Sequence, residues 1–274
     1  MLKSRILTAF VLIAVFIPAL LSFSAQAWAI AMLLLSLLAL YEWGALIKLK
    51  QVELVAYIAV AAILGALVLL LSKTYGVYQF SSKSLIVFIF SAVFWILVAP
   101  IWLSKRFVIT NKWLMTLLGL LLIAPLWLAL IFARDSDPRF LLMMLSTIWI
   151  ADSTAYFAGK NFGKHKLAPD ISPGKTWEGV FGALVGVTLF GLVLRFSFNI
   201  RELELFPLLW LMAILGVIGD LFESLMKRQA NLKDSGNLLP GHGGILDRID
   251  GLISSLPVGI LIIYAYRAFV TGEP

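Results

Sequence analysis

Five carboxylates in the C-terminal half of the chain lie in or beside long apolar runs. Asp152 stands inside Thr147-Ile-Trp-Ile-Ala-Asp-Ser-Thr-Ala-Tyr156, and Asp220 inside Leu215-Gly-Val-Ile-Gly-Asp-Leu-Phe-Glu223. An acid near the centre of a membrane helix costs about 2.5–3.5 kcal/mol on insertion scales, so such residues mark function. Asp247 and Asp250, in Leu246-Asp-Arg-Ile-Asp-Gly251, are spaced i and i+3 and share a helix face, as do Asp220 and Glu223. Acids gathered from three helices repel one another unless a cation joins them. An all-oxygen ligand set in a chain with no Cys and two His suits Mg²⁺. The plainer reading pairs each acid with a nearby base, Asp247 or Asp250 with Arg248 and Glu223 with Lys227. Asp220 has no base within a helical turn of sequence. Glu42, near the inner end of the second apolar run, reads as an interfacial residue that reaches water.

Two polar loops supply the opposite charge. The later one runs from Ser224 through Lys227, Arg228 and Lys233 to Gly241-His-Gly-Gly244 and then to Asp247 and Arg248. Glycines ahead of a helix let backbone N–H groups approach an anion at the positive helix end. The bases beside them supply countercharge to phosphates, and His242 reads as a further contact. In the earlier loop, Ser172-Pro173 reads as an N-cap and first helical residue, which puts Lys175 and Thr176 in the first turn, where an anion would bind. Gly174-Lys-Thr176 is not a P-loop, because Pro169 stands where that motif needs glycine. His165 reads as an ordinary loop residue beside two lysines. A metal, cations for a polyphosphate and no protein nucleophile suit phosphoryl or nucleotidyl transfer.

The elements that must position these residues are membrane helices. The chain has 274 residues, 61% hydrophobic and 14% charged, against roughly 25% charged in soluble domains. Mean hydropathy is +0.99. The net charge of +7 reads as loop orientation rather than nucleic-acid binding, since no basic stretch is long or interleaved with aromatics. Apolar segments of about spanning length cover 6–23, 26–47, 52–71, 84–103, 112–132, 140–159, 177–199, 206–226 and 245–270. That predicts an all-α, polytopic membrane protein of about nine helices. It forms a single membrane domain over 1–274, with N-terminal helices in 1–135 and catalytic helices and loops in 140–270. Placing the N-terminus in the cytoplasm puts fifteen of the 22 Lys and Arg on that side and seven on the other. Both polar loops then face the cytoplasm. Asp152 and Asp220 lie at matching depth, about 10–12 Å from their basic loops at 1.5 Å per residue.

At these loops the sequence resembles the bacterial phosphatidate cytidylyltransferase (CDP-diacylglycerol synthase) family. The matching pattern is Ser224, Lys227-Arg228, Lys233-Asp234, Gly236, Leu239-Pro240, His242-Gly243-Gly244 and Asp247-Arg248-Ile249-Asp250, preceded by Asp152-Ser153 through Glu178-Gly179. The resemblance is strong over roughly residues 145–255. It implies Mg²⁺ dependence, admits K⁺ as a second cation, and implies a homodimer in the cytoplasmic (inner) membrane. It also implies the reaction: an oxygen of phosphatidic acid attacks the α-phosphorus of CTP, and pyrophosphate leaves. Carried over, Asp220 and Asp247 are metal ligands, followed by Asp250 and Glu223, with Asp152 organising the same cavity. Asp220, Asp247, Lys233 and Arg248 become the catalytic set. Ser172, Lys175, Thr176, Lys227, Arg228, His242, Gly243 and Gly244 become substrate contacts.

Three other functions compete. A CDP-alcohol phosphotransferase needs an Ala-Arg pair and later aspartates, but after Asp250 the remaining acid is Glu273. A CTP-dependent polyprenol kinase would transfer the γ-phosphoryl instead. A transporter predicts an inverted repeat, and the acids here cluster in one half.

Overall fold

The fold is described from a computed structural model over residues 13–75, 82–197, 205–238 and 243–271. Its helices are α1 (Ile13–Ser22), α2 (Ala25–Leu46), α3 (Gln51–Tyr75), α4 (Ser82–Val93), α5 (Ala99–Lys105), α6 (Lys112–Ser136), α7 (Pro138–Phe162), α8 (Trp177–Ser197), α9 (Leu205–Gln229) and α10 (Leu246–Thr271). A π-helical turn, Phe94–Val98, joins α4 to α5 in one apolar segment. The cause is Pro100, whose ring displaces the regular bonding of the preceding turn, so Ala99 N–H reaches back five residues to Phe94 O. Eight segments among the described residues are long and apolar enough to cross a membrane. The protein is an all-α polytopic membrane protein. The predicted 6–23 span is described over Ile13–Ser22, and its earlier residues lie outside the described set.

One expectation is corrected. Ser172–Thr176 is not a helix start but a strand, β2, paired antiparallel with β1 (Lys166–Ala168) in the register Lys166↔Thr176 and Ala168↔Ser172. Pro173 is tolerated because a two-stranded ribbon leaves outward-facing backbone positions that need no partner. The cap of α8 is Thr176, whose Oγ1 accepts the Gly179 N–H at 3.1 Å.

The chain divides into two compact units. The first comprises residues 1–87, 107–141 and 226–249. Here α2 packs against α3 and α6. Three indoles bind α2 to α6 through backbone carbonyls: Trp28 Nε1 to Leu130 O (3.0 Å), Trp127 Nε1 to Ala29 O (3.1 Å) and Trp43 Nε1 to Met115 O (2.8 Å). Each indole thereby buries its one polar atom satisfied, which apolar surroundings require. Arg134 of α6 donates to the carbonyls of Leu20 and Phe23, closing the C-terminal end of α1.

The second unit comprises residues 88–106, 142–225 and 250–274. Its helices approach closely through small residues. A Cβ on Gly182 or Gly186 of α8 would collide with Ala158 or Thr154 of α7. The same device joins α9 to α10: a Cβ on Gly219 would collide with Asp250 O and Ser254 Oγ, and Gly216 faces Gly251. Ser254 Oγ also donates to Leu215 O at 2.7 Å. Small residues let membrane helices pack backbone to backbone, where van der Waals contact supplies much of the association energy. On α9, Phe222 is held in edge-to-face contacts by Phe94, Trp95 and Trp102, with ring centroids 5.5 Å away in each case.

Candidate active site

Within the second unit, helix packing determines where the acids go. Ile148 of α7 lies against both Gly216 of α9 and Gly251 of α10. Asp152 is four residues beyond Ile148 and Asp220 four beyond Gly216, so each follows its contact by one turn on the same face. Asp250 immediately precedes Gly251. The three carboxylates are thus brought into one neighbourhood by the glycines that let their helices touch. Asp220 Oδ1 accepts from Ser224 Oγ at 3.3 Å, and Asp250 Oδ1 accepts the Gly251 N–H at 2.8 Å.

Into this cluster reaches Lys175, from the end of β2. Its Nζ forms an ion pair with Asp220 Oδ2, and the two side chains are 27% and 26% exposed. Burial alone would lower the lysine pKa. The charge and hydrogen bond of Asp220, with the charges of Asp152 and Asp250, outweigh burial and hold it above the ordinary 10.5. Asp220 therefore does have a base partner, one that sequence spacing did not reveal, because it arrives from a hairpin 45 residues earlier. Three carboxylates against one ammonium leave an excess of negative charge. All three are hard oxygen donors, the ligand type that divalent cations take. Among the described residues, no group of three or more His, Cys, Asp or Glu is placed to hold a metal ion.

Asp247 belongs to a network in the first unit. Its Oδ1 pairs with Lys227 Nζ at 2.5 Å. Its Oδ2 accepts the Ser235 N–H (3.0 Å), the Ser235 hydroxyl (3.0 Å) and the Gly244 N–H (2.8 Å). The Asp247 side chain is 7% exposed. Lys227 occupies the last turn of α9, and its Nζ pairs with Asp247, a partner 20 residues further along the chain. Glu223 is buried on α9.

The same network overturns the reading of Glu42. Only 1% exposed, its carboxylate accepts the N–H groups of Ile245 (3.0 Å) and Leu246 (2.8 Å) and the Ser235 hydroxyl (2.9 Å). It does not reach water. It caps α10 from a helix some 200 residues away. Gly243 has φ +81°, a left-handed conformation that favours glycine. Gly244 approaches so closely that a Cβ would collide with Glu42 and Ser235. The Gly244 amide, in the glycine stretch that the sequence offers to an anion, here donates to Asp247, and the next two amides donate to Glu42. The signal for Glu42 in the sequence was faint: one acid inside an otherwise apolar helix.

The remaining candidates differ in exposure. Lys233, Arg228 and Arg248 present their side chains at the surface, and Ser172 is half-buried. Thr176 is buried, with its hydroxyl engaged in the α8 cap. His242 lies outside the described residues. His165 is not a plain loop residue, since its Nδ1 and the Glu178 carboxylate stand 2.6 Å apart. An open groove of about 420 Å³ lies along Ala158, Phe162, Trp177, Glu178, Phe181 and Gly182, and none of the clustered acids lines it.

A sequence model described as the cytidylyltransferase family matches residues 3–266. The chain belongs to the cytidylyltransferase family. Among similar proteins is the phosphatidate cytidylyltransferase of Haemophilus influenzae, 36% identical over 94% of this chain and 96% of that protein. The phosphatidate cytidylyltransferase of Pseudomonas aeruginosa is 35% identical over 97% and 98%. That of Staphylococcus saprophyticus is 34% identical over 96% and 99%. The likeness thus extends through the N-terminal helices, beyond the 145–255 stretch that carries the motifs. The protein is an enzyme, a nucleotidyltransferase, as the motif resemblance implied.

Proposed function

We propose that this cytidylyltransferase uses phosphatidic acid as acceptor, converting it and CTP to CDP-diacylglycerol and pyrophosphate in phospholipid synthesis. The setting is the bacterial cytoplasmic membrane, with the N-terminus and both basic loops on the cytoplasmic side and the chain acting as a homodimer. The observation that carries the chemistry is the Asp152–Asp220–Asp250 cluster around Lys175. The names and coverage of the relatives support the substrates.

Asp220 and Asp250, with Asp152, would hold Mg²⁺, and K⁺ could serve as a second cation. Bound there, the metal would neutralise phosphate charge and polarise the reacting phosphoryl group. The protein's own groups do the rest. Lys175 keeps its proton and serves as a fixed positive charge rather than as a base. Lys227 and Asp247 order the start of the 227–248 segment, whose exposed Lys233, Arg228 and Arg248 supply cations for the polyphosphate of CTP. An oxygen of the lipid phosphate forms the new bond to the α-phosphorus, and the bond from that phosphorus to the leaving pyrophosphate breaks. No protein nucleophile is needed, so catalysis is positioning plus charge neutralisation.

The test is purified Asp220→Asn and Asp250→Asn protein assayed with CTP, phosphatidic acid and a Mg²⁺ titration. Loss of turnover beyond about 100-fold, with normal membrane insertion, is expected of both. Near-normal turnover in either variant removes that residue from the site.

A further inference from the structure

Among the described residues of the first unit, Glu42 is the buried acid: a carboxylate, 1% exposed, in an apolar helix. Burying an acid without compensation costs several kcal/mol, so its partners explain why it persists. They are the Ile245 and Leu246 amides and the Ser235 hydroxyl. That hydroxyl stands equally close to Asp247 Oδ2, 2.9 Å from one carboxylate and 3.0 Å from the other. Gly236 and Gly244 close around the Glu42 head so tightly that a Cβ on either would strike it. One side chain of α2 therefore touches residues 235, 236, 244, 245 and 246, both ends of the loop that precedes α10.

We propose that Glu42 is a positioning residue for CTP: it ties residues 235–236 to residues 244–246 at the start of α10 and holds these two stretches, with their neighbours Lys233 and Arg248, in place before the nucleotide arrives. The proposal rests on the reading that the 227–248 segment contacts CTP. Binding groups whose backbone is already fixed lose little conformational freedom on meeting a ligand, and that difference appears as affinity. Glutamate suits the task better than glutamine. All three partners are donors, and an amide group would turn its own N–H toward at least one of them.

Two readouts test this in the full-length protein. In Glu42→Gln, backbone amide exchange of a peptide covering Ile245 and Leu246 should accelerate about tenfold or more, the scale of one lost charged hydrogen bond. This needs no substrate, so it stands or falls apart from the assignment of the reaction. In turnover, KM for CTP should rise about tenfold while KM for phosphatidic acid stays unchanged. Ser235→Ala keeps Glu42 and both amide bonds and should move both readouts the same way by less, so it serves if the glutamine variant does not fold. Unchanged exchange at 245–246 overturns the proposal. So does a fall in kcat with both KM values unchanged, which is the signature of merely losing folded enzyme.

Discussion

Replacing Lys175 by Met keeps the length and apolar stem of the side chain and removes its charge. Asp152, Asp220 and Asp250 then face one another without the ammonium that now offsets them. Breaking a fully buried pair from one side costs about 3–5 kcal/mol. Both side chains here are about a quarter exposed, so water recovers part of this and about 2–3 kcal/mol remains. In a chain of this size that lowers Tm by roughly 5–10 °C, measured by thermal unfolding in detergent without substrate. Asp220→Asn should cost less, about 1 kcal/mol, because Lys175 keeps the charges of the other two acids. The double variant removes one repelling carboxylate along with the lysine. It should therefore be no worse than Lys175→Met alone, a coupling of about 1–2 kcal/mol. Strict additivity, within about 0.5 kcal/mol, would refute the claim that the acids act on one another through Lys175.

The pH dependence follows with a fixed sign. Because Lys175 is held above the ordinary lysine value of 10.5, its stabilisation is complete below that value and is lost only as pH rises through the higher folded-state value. The Tm gap between wild type and Lys175→Met should therefore be flat from about pH 7 to pH 9, and a gap that closes over that range would mean the lysine loses its proton there. Gly219→Ala puts a methyl group against Asp250 O and Ser254 Oγ. It should destabilise the protein by about 1–3 kcal/mol and lower turnover more than an alanine elsewhere on α9 of equal thermal cost, since it separates Asp220 from Asp250.

What was legible in the sequence follows a physical division. Apolar length reported the spans, because a membrane helix needs about 20 such residues wherever it sits. The cost of intramembrane charge singled out Asp152 and Asp220 before any geometry was known. Local i, i+3 reasoning could not find the partners. Lys175 reaches Asp220 from a hairpin, Lys227 takes Asp247 across a loop, and Glu42 caps a helix at the other end of the chain. Such pairings are fixed by tertiary packing and leave no spacing in the sequence. Ser172-Pro173 misled for a related reason: the dipeptide is compatible with a helix start and with an edge strand, and pairing with Lys166–Ala168 decided for the strand.

The central claim is that the α-phosphoryl of CTP, carrying its nucleoside, moves to a lipid phosphate. Purified protein given phosphatidic acid, Mg²⁺ and CTP labelled at either the α- or the γ-phosphorus tests it most directly. The α-label should appear in CDP-diacylglycerol and the γ-label in pyrophosphate. Transfer of the γ-label to the lipid, with release of CDP, would contradict the account.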